Sequence, residues 1–361
     1  MRIYRSLGEI SGPVSLGASS AATGGRPGLG QTVVSIGNFD GVHCGHRWIL
    51  ELIEARARAL SAESSRPVTS VAVTFEPHPS RLLRPEDSPR LITPLETRLE
   101  LLENTGVDAV LLLPFTHELS RMSGEEFVTA ILREGLKAVE VHEGENFRFG
   151  HRAHCGTADL EALGRKLGFG VCIHPARSAR GITISSSKAR QCIQAGEMTA
   201  ARILLGRPFS IRSTPAPGRG VGSKLTVPTI NLAPYDELLP ADGVYITRLR
   251  IGAGASDAKA DPKTEIREDR VFDAVTNAGR RPTFGENAYA IETYLLDYAA
   301  AGATADGAPL VLTAETLLEL TFLHRLRSEQ KFASPEALKA QIYRDVTRAR
   351  RYFHLWKVTS R

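Results

Sequence analysis

Two histidines stand three residues apart in GNFDGVHCGH, residues 37 to 46, between the apolar run TVVSI and a segment with helical spacing of apolar residues. Imidazole N–H groups can donate to phosphoryl oxygens, and such donors act as negative charge builds in a transition state. Gly37, Gly41 and Gly45 permit close approach of backbone to phosphate, which histidines serving only as helix caps would not need. His43 and His46 therefore read as a phosphate-transfer pair. A metal site from His43, Cys44 and His46 is the rival chemistry, but histidines at i and i+3 have no clear third and fourth ligand nearby.

A second stretch points the same way. ITISSSKARQCIQAG, residues 182 to 196, places three serines at the start of a helix with Lys188 and Arg190 just inside, an anion site for the same polyphosphate. Alone, Ser185, Ser186 and Ser187 would be an N-cap. Paired with the histidines they read as phosphate ligands. The HxGH spacing resembles the signature of nucleotidylyl transferases.

These groups need a scaffold, and residues 33 to about 195 supply an alternation of strands and helices. TVVSI, VTSVAVTF, DAVLLLP, KAVEV and GVCIH read as strands, separated by helical patterns in HRWILELIEARARAL, LETRLELLENTG, EEFVTAILREG and about Asp159 to Leu167. Thr93 with Glu96, and Ser123 with Glu126, are expected to form capping boxes, with Pro94 at the first helical position of its segment. Such a rhythm predicts a doubly wound parallel sheet, whose ligands gather beyond the strand carboxyl ends, where GNFDGVHCGH lies. After Gly206 the pattern changes to FSIRST, GVYITRLRIG, VFDAVTNAG, AYAIETYLLD and LLELTFLHRL, β-forming runs between Gly/Pro turns that predict an antiparallel barrel or sandwich. A final helix is capped by Ser334 with Pro335 at its first position. The boundary falls near residues 196 to 208, giving domains of 1–200 and 201–361. Residues 253 to 269 and 299 to 309 read as exposed loops.

Bulk properties narrow the function class. At 361 residues the chain has room for two cores, and no apolar run is long enough to span a bilayer. The opening MRIYRSLGEISGPVSLG lacks the apolar centre of a secretory signal, and the four cysteines show no CxxC spacing, so a reducing cytoplasm is expected. A net charge of +5 suits polyanionic small molecules as well as it suits nucleic acid.

SIGNFDGVHCGH, AVTFEPHP, GENFRFG, ISSSKAR, LLGRPFSI, VPTINL, LLPADGVY, NAGRRPTFG, IETYLLD and FLHRLRSEQKF occur in the order found in bacterial bifunctional riboflavin kinase/FMN adenylyltransferases, also called FAD synthetases. The resemblance spans about residues 2 to 356. It implies a Rossmann-like nucleotidylyltransferase domain followed by a split β-barrel kinase domain with a C-terminal helix. By that resemblance the first domain transfers AMP from ATP to FMN, releasing pyrophosphate. His43 and His46 steady the transition state, Gly37, Asn38, Asp40 and Gly45 shape the nucleotide loop, and Ser186, Ser187 and Arg190 hold the triphosphate. FEPHPSRLL and GENFRFG would line the flavin side, with Asn146, Phe147 and Phe149 as contacts; for the phenylalanines the plain alternative is core packing. The second domain phosphorylates riboflavin, with Gly218, Gly220 and Gly222 wrapping phosphates, Thr229 and Asn231 holding Mg²⁺ with ATP, and Glu292 as base. A glutamate in an alternating strand is otherwise usually solvent-facing. The implied partners are riboflavin, FMN and ATP, with FAD as final product and no nucleic acid or membrane.

The chain departs from the family pattern at four places. Asn146 stands where Asp is usual, Ser187 where Thr is usual with the hydroxyl kept, Lys188 where Arg is usual, and Thr226 and Val227 where a glycine and an aromatic residue precede Pro-Thr. Asn146 and Lys188 expose the adenylyl step and Thr226 the kinase step. Two rival readings follow: one activity retained while the other has decayed, or a flavin-binding sensor without turnover. A binder alone has no need of Glu292.

Overall fold

The structure, a computed structural model, describes residues 1–10, 29–216, 229–252, 270–280, 289–296 and 312–359. Its contacts divide the chain into two units, Met1–Ser186 and Ser187–Arg361.

The first unit holds a six-stranded sheet of β1 (Arg2–Tyr4), β2 (Gln31–Ile36), β3 (Val68–Glu76), β4 (Ala109–Pro114), β5 (Ala138–Gly144) and β6 (Gly170–His174). Every neighbouring pair is parallel, in the order β1-β4-β3-β2-β5-β6. The helices are α1 (Leu7–Ile10), α2 (Cys44–Ser64), α3 (Pro79–Leu83), α4 (Leu95–Glu103), α5 (His117–Arg121), α6 (Gly124–Phe127) and α7 (Thr157–Leu167). Apolar residues occupy both sides of the strands because both sides are covered. Val34 and Ile36 of β2 face one core with Phe127, Leu132 and Leu160, while Val33 faces the other with Leu50, Ile53 and Ala57 of α2. The expected doubly wound sheet is present. Strand order reverses between β2 and β5, which opens a crevice beyond their carboxyl ends.

Local signals fared unevenly. Ser123 and Glu126 form their capping box, with bonds of 2.8 and 3.2 Å, but beyond Phe127 the backbone winds as a π-helix over Val128–Gly135. Thr93 does not cap α4. Pro94 is the N-cap residue with no side-chain cap bond, and the Thr93 hydroxyl accepts instead from Gly41 N–H at 3.1 Å. The sequence reading also passed over a short hairpin, β7 (Ser178–Ala179) with β8 (Ile182–Thr183), whose turn residues Arg180 and Gly181 have φ of 50° and 77°. This hairpin precedes α8 (Ser186–Ala195), which α9 (Met198–Leu205) follows.

The second unit is built on an antiparallel sheet of β9 (Phe209–Ser213), β10 (Pro215–Ala216), β11 (Thr229–Leu232), β12 (Gly243–Gly252), β13 (Arg270–Arg280), β14 (Tyr289–Leu295) and β15 (Leu317–Arg327). The order is β10-β11-β14-β13-β12-β15-β9, so β10 and β9 form its two ends, as in a split barrel. The last helix, α10 (Pro335–Thr359), is capped by the Ser334 hydroxyl, which accepts from Ala337 N–H at 3.2 Å. Phe353 and Val346 of α10 pack on Val244, Ile246 and Val275. On the opposite side of the sheet Thr247, Thr276 and Thr293 are fully buried and joined hydroxyl to hydroxyl, at 2.7 and 3.0 Å. The stretches read as loops at 253 to 269 and 299 to 309 lie outside the described residues.

Candidate active sites

In the first unit the loop from Gly37 to Val42 runs from β2 into α2. Phe39 and Val42 have φ of 47° and 37°, a left-handed region that non-glycine residues avoid, and both are buried, which holds them there. Side chains tie the loop down from below. The Asp40 carboxylate accepts from Ile92 N–H at 2.8 Å and Thr93 N–H at 3.2 Å. Arg98, fully buried on α4, donates to the carbonyls of Asn38 (3.1 Å) and Phe75 (3.2 Å) and to the Glu76 carboxylate (2.8 Å). Burial pulls the Arg98 pKa down, and Glu76 opposes that shift.

His43 is the N-cap of α2. Its Nδ1 accepts from His46 N–H at 3.2 Å, so the ring proton of a neutral His43 sits on Nε2. The two imidazoles stack at 3.6 Å and 14°, with Phe39 edge-on to His46 at 5.2 Å. A Cβ on Gly45 would lie 3.2 Å from the His43 ring, so glycine there makes room for the cap. Burial, and then His43, push the His46 pKa well below the usual imidazole range, and His46 Nδ1 is buried without a hydrogen-bond partner. The site thus stacks two imidazoles at the positive end of a 21-residue helix.

Ser186 opens α8, and its hydroxyl donates to the Asp40 carbonyl at 2.9 Å, fastening the serine segment to the glycine loop. Ser187 and Lys188 are exposed, Arg190 is half-buried, and Lys188 reaches Gln191 at 3.5 Å. Gly37 N–H bonds the Val73 carbonyl and Asn38 is exposed. In GENFRFG, Asn146 is exposed in the turn closed by Phe147 N–H to the Gly144 carbonyl. Phe147 and Phe149 stack at 5.5 Å; Phe149 belongs to the core beside Phe127, and Phe147 is half-buried. In FEPHPSRLL, Glu76 pairs with Arg98 and His78 caps α3 by accepting from Ser80 N–H at 3.2 Å.

The sequence reading missed two residues here. Arg98 looked like one more charge on an amphipathic helix. Glu143 lies inside the strand run before GENFRFG, where a charge is out of pattern, and that was its only signal. It is 3 % exposed, and its Oε1 accepts from Ile36 N–H at 2.5 Å. The β2–β5 ladder runs from Thr32↔Ala138 to Val34↔Val141 and stops there. Beyond that point the Glu143 carboxyl occupies the Ile36 N–H, and the strands part at the switch point. Burial pushes this carboxyl well above the usual carboxylate range.

In the second unit Asn231 of β11 lies directly opposite Glu292 of β14, and Glu292 lies opposite Asn277 of β13. Opposed residues share a sheet face with Cβ atoms about 5 Å apart, so three polar side chains form a row across three strands. Thr229, two residues before Asn231, is on the same face. Glu292 and Asn231 are half-buried and Thr229 is exposed, so Glu292 is not simply solvent-facing. Asn277 was quoted within NAGRRPTFG but not singled out; only the strand pairing brings it to Glu292. Gly218, Gly220, Gly222, Thr226 and Val227 lie outside the described residues.

Comparison with known proteins follows the same division. Residues 27–188 match the family model described as FAD synthetase, and residues 205–353 match the one described as riboflavin kinase. A bifunctional riboflavin kinase/FMN adenylyltransferase of Escherichia coli K12 is 30% identical over 325 residues, covering 90% of this chain and 94% of its own. The chain belongs to the bifunctional riboflavin kinase/FMN adenylyltransferase family. The family's representative from Pseudomonas fluorescens is 33% identical over 326 residues, with 90% and 94% covered. A solved structure described as a macrolide-efflux protein from Streptococcus pneumoniae is similar with a TM-score of 0.72 over 89% of this chain and 94% of that one; at 24% identity the likeness concerns fold alone. Among the described residues no helix is long and apolar enough to cross a membrane.

Proposed function

We propose that the chain makes FAD from riboflavin in two ATP-dependent steps. In the second unit the ribityl 5′-hydroxyl attacks the γ-phosphate of ATP, giving FMN and ADP. In the first, the FMN phosphate attacks the α-phosphate of a second ATP, giving FAD and pyrophosphate. The observation that carries this reading is that the two matched family regions each contain their own constellation, the His43–His46 pair in one and the Asn231–Glu292–Asn277 row in the other.

For the kinase step Glu292 takes the hydroxyl proton. Thr229 and Asn231 offer a hydroxyl and an amide oxygen on one strand face, hard donors that fit Mg²⁺ carried in with ATP, with water and phosphate completing its shell. When bound, Mg²⁺ offsets the phosphate charge. By the family resemblance Gly218, Gly220 and Gly222 would contact the ATP phosphates.

The adenylyl step needs no base, because its nucleophile is already an anion. Positioning and charge stabilisation remain. His43 Nε2–H and the neutral His46 donate to the phosphates, Gly37, Asn38, Asp40 and Gly45 shape the loop, and Ser186, Ser187 and Arg190 hold the triphosphate. Asn146 and Phe147 meet the flavin, with Phe149 packed behind Phe147. The four cysteines are free, which fits work in the cytoplasm.

The test is a time course with riboflavin, ATP and Mg²⁺, separated by chromatography. Transient FMN followed by FAD is expected. FMN without FAD would leave only the kinase, and tight flavin binding without conversion would make the protein a sensor.

A further inference from the structure

On the face of β5 opposite Glu143, Glu140 and His142 of β5 and Cys172 of β6 each bring one ligand atom within 4.8 Å of the other two. Nothing in the flavin chemistry uses them. We propose that these three side chains form a Zn²⁺ site that clamps the edge strand β6 to β5, with solvent as fourth ligand.

The geometry has four parts. First, His142 Nε2 and Glu140 Oε2 are 3.4 Å apart. A charge-assisted hydrogen bond would be shorter, at about 2.7–2.9 Å. Two ligands at the tetrahedral angle with metal bonds of about 2.0 Å sit about 3.3 Å apart, which is the separation observed. Second, the other nitrogen of His142, Nδ1, faces His174 Nε2 at 3.2 Å. A ligating histidine commonly donates its second N–H in this way, which fixes ring and tautomer. Third, Arg56 binds Glu140 through Nη2 to Oε1 at 2.6 Å and Nε to both oxygens at 2.9 Å. Its strongest contact is with Oε1, so Oε2 keeps a lone pair on the side of His142, and the guanidinium acts as the outer partner that orients the carboxylate. Fourth, the donor set is one thiol, one imidazole and one carboxylate, the mixture that borderline-soft Zn²⁺ takes, and Cys172 is half-buried, so water has access.

On binding, the S–H bond breaks, the S–Zn bond forms and the proton passes to solvent. A thiolate, a carboxylate and Zn²⁺ leave the inner shell neutral beside Arg56.

The test uses the full chain, freed of metal by chelation, and does not depend on either enzyme activity. Co²⁺ titration should give one equivalent bound, with a thiolate-to-cobalt charge-transfer band and tetrahedral visible bands, and Zn²⁺ should displace it. Cys172→Ser should remove the charge-transfer band, whereas Cys192→Ser should keep it. His142→Ala should weaken Zn²⁺ binding at least tenfold, measured by competition with a chromophoric chelator. As a second measurement that needs no variant, Zn²⁺ should protect Cys172 from alkylation in native protein while leaving Cys155 reactive, read by peptide mass mapping. No saturable Co²⁺ binding, a charge-transfer band that persists in Cys172→Ser, or alkylation of Cys172 unaffected by Zn²⁺ would overturn the proposal.

Discussion

The two proposed sites would hold phosphate in opposite ways. In the first unit the groups proposed to meet the nucleotide stand on a loop and the start of α2 beyond the strand ends, and the loop keeps two non-glycine residues in left-handed backbone. Its shape depends on side chains beneath it, Arg98, Asp40 and Glu143. In the second unit the proposed acting groups stand on the strands themselves, in one row across β11, β14 and β13, where the hydrogen-bond ladder sets their register. A loop-borne site is therefore vulnerable at a distance, and a strand-borne site is vulnerable mainly at its own residues or by a slip of register.

The comparison can be broken at several points. Glu292→Gln removes the base while keeping the shape, and riboflavin phosphorylation should fall by about 10³-fold, with FAD formation from supplied FMN unchanged. Loss of both steps would mean that the sites are not separate. On the other side, His43→Asn keeps a good N-cap but removes the Nε2 donor, so adenylylation should fall by about 10²-fold at unchanged melting temperature, with the kinase intact. Arg98→Met tests action at a distance. Leaving Glu76 and two carbonyls without their partner should cost about 3 kcal/mol in the unfolding of the first unit and reduce adenylylation, although Arg98 is assigned no contact with substrate. An adenylylation rate untouched by this change would sink the view that the loop hangs on it. Asn277→Ala probes the row, and a loss of about tenfold in the kinase step alone is expected, the worth of one hydrogen bond.

The smallest effect concerns Glu143 and pH. Its folded pKa is raised, so the stability associated with its neutral form is fully present below the ordinary glutamate range, near about 4.3, and is lost as pH rises towards the folded value. Glu143→Gln mimics the neutral carboxyl and keeps an acceptor for Ile36 N–H. Its melting temperature should match the wild type near pH 4 and exceed it increasingly at neutral and alkaline pH. Parallel curves across that range would show that Glu143 is not held neutral.

Much of this was legible in the sequence, and the reasons differ by element. The parallel sheet announced itself because strands covered on both sides must be apolar throughout, as VTSVAVTF and DAVLLLP are. GNFDGVHCGH stood out because its glycines let backbone approach phosphate beside two imidazole donors, and the serine segment ISSSKAR offered a second anion site. Arg98 stayed hidden because a buried arginine on a helix has the same one-dimensional pattern as an exposed one; only the loop folded above it supplies three acceptors. Asn277 stayed hidden because register between β13 and β14 cannot be counted along a single strand. The Thr93–Glu96 capping box failed for a related reason: the hydroxyl that would have capped α4 was taken by Gly41 N–H, a partner 52 residues away.

The buried threonine chain of the second unit has a property of its own. Thr276 lies between Thr247 and Thr293, and its one hydroxyl proton can serve only one of them, so at least one of the two outer hydroxyls must donate to it. The three hydroxyls therefore satisfy one another without water, a polar seam through the apolar interior on the reverse of the face that carries Glu292.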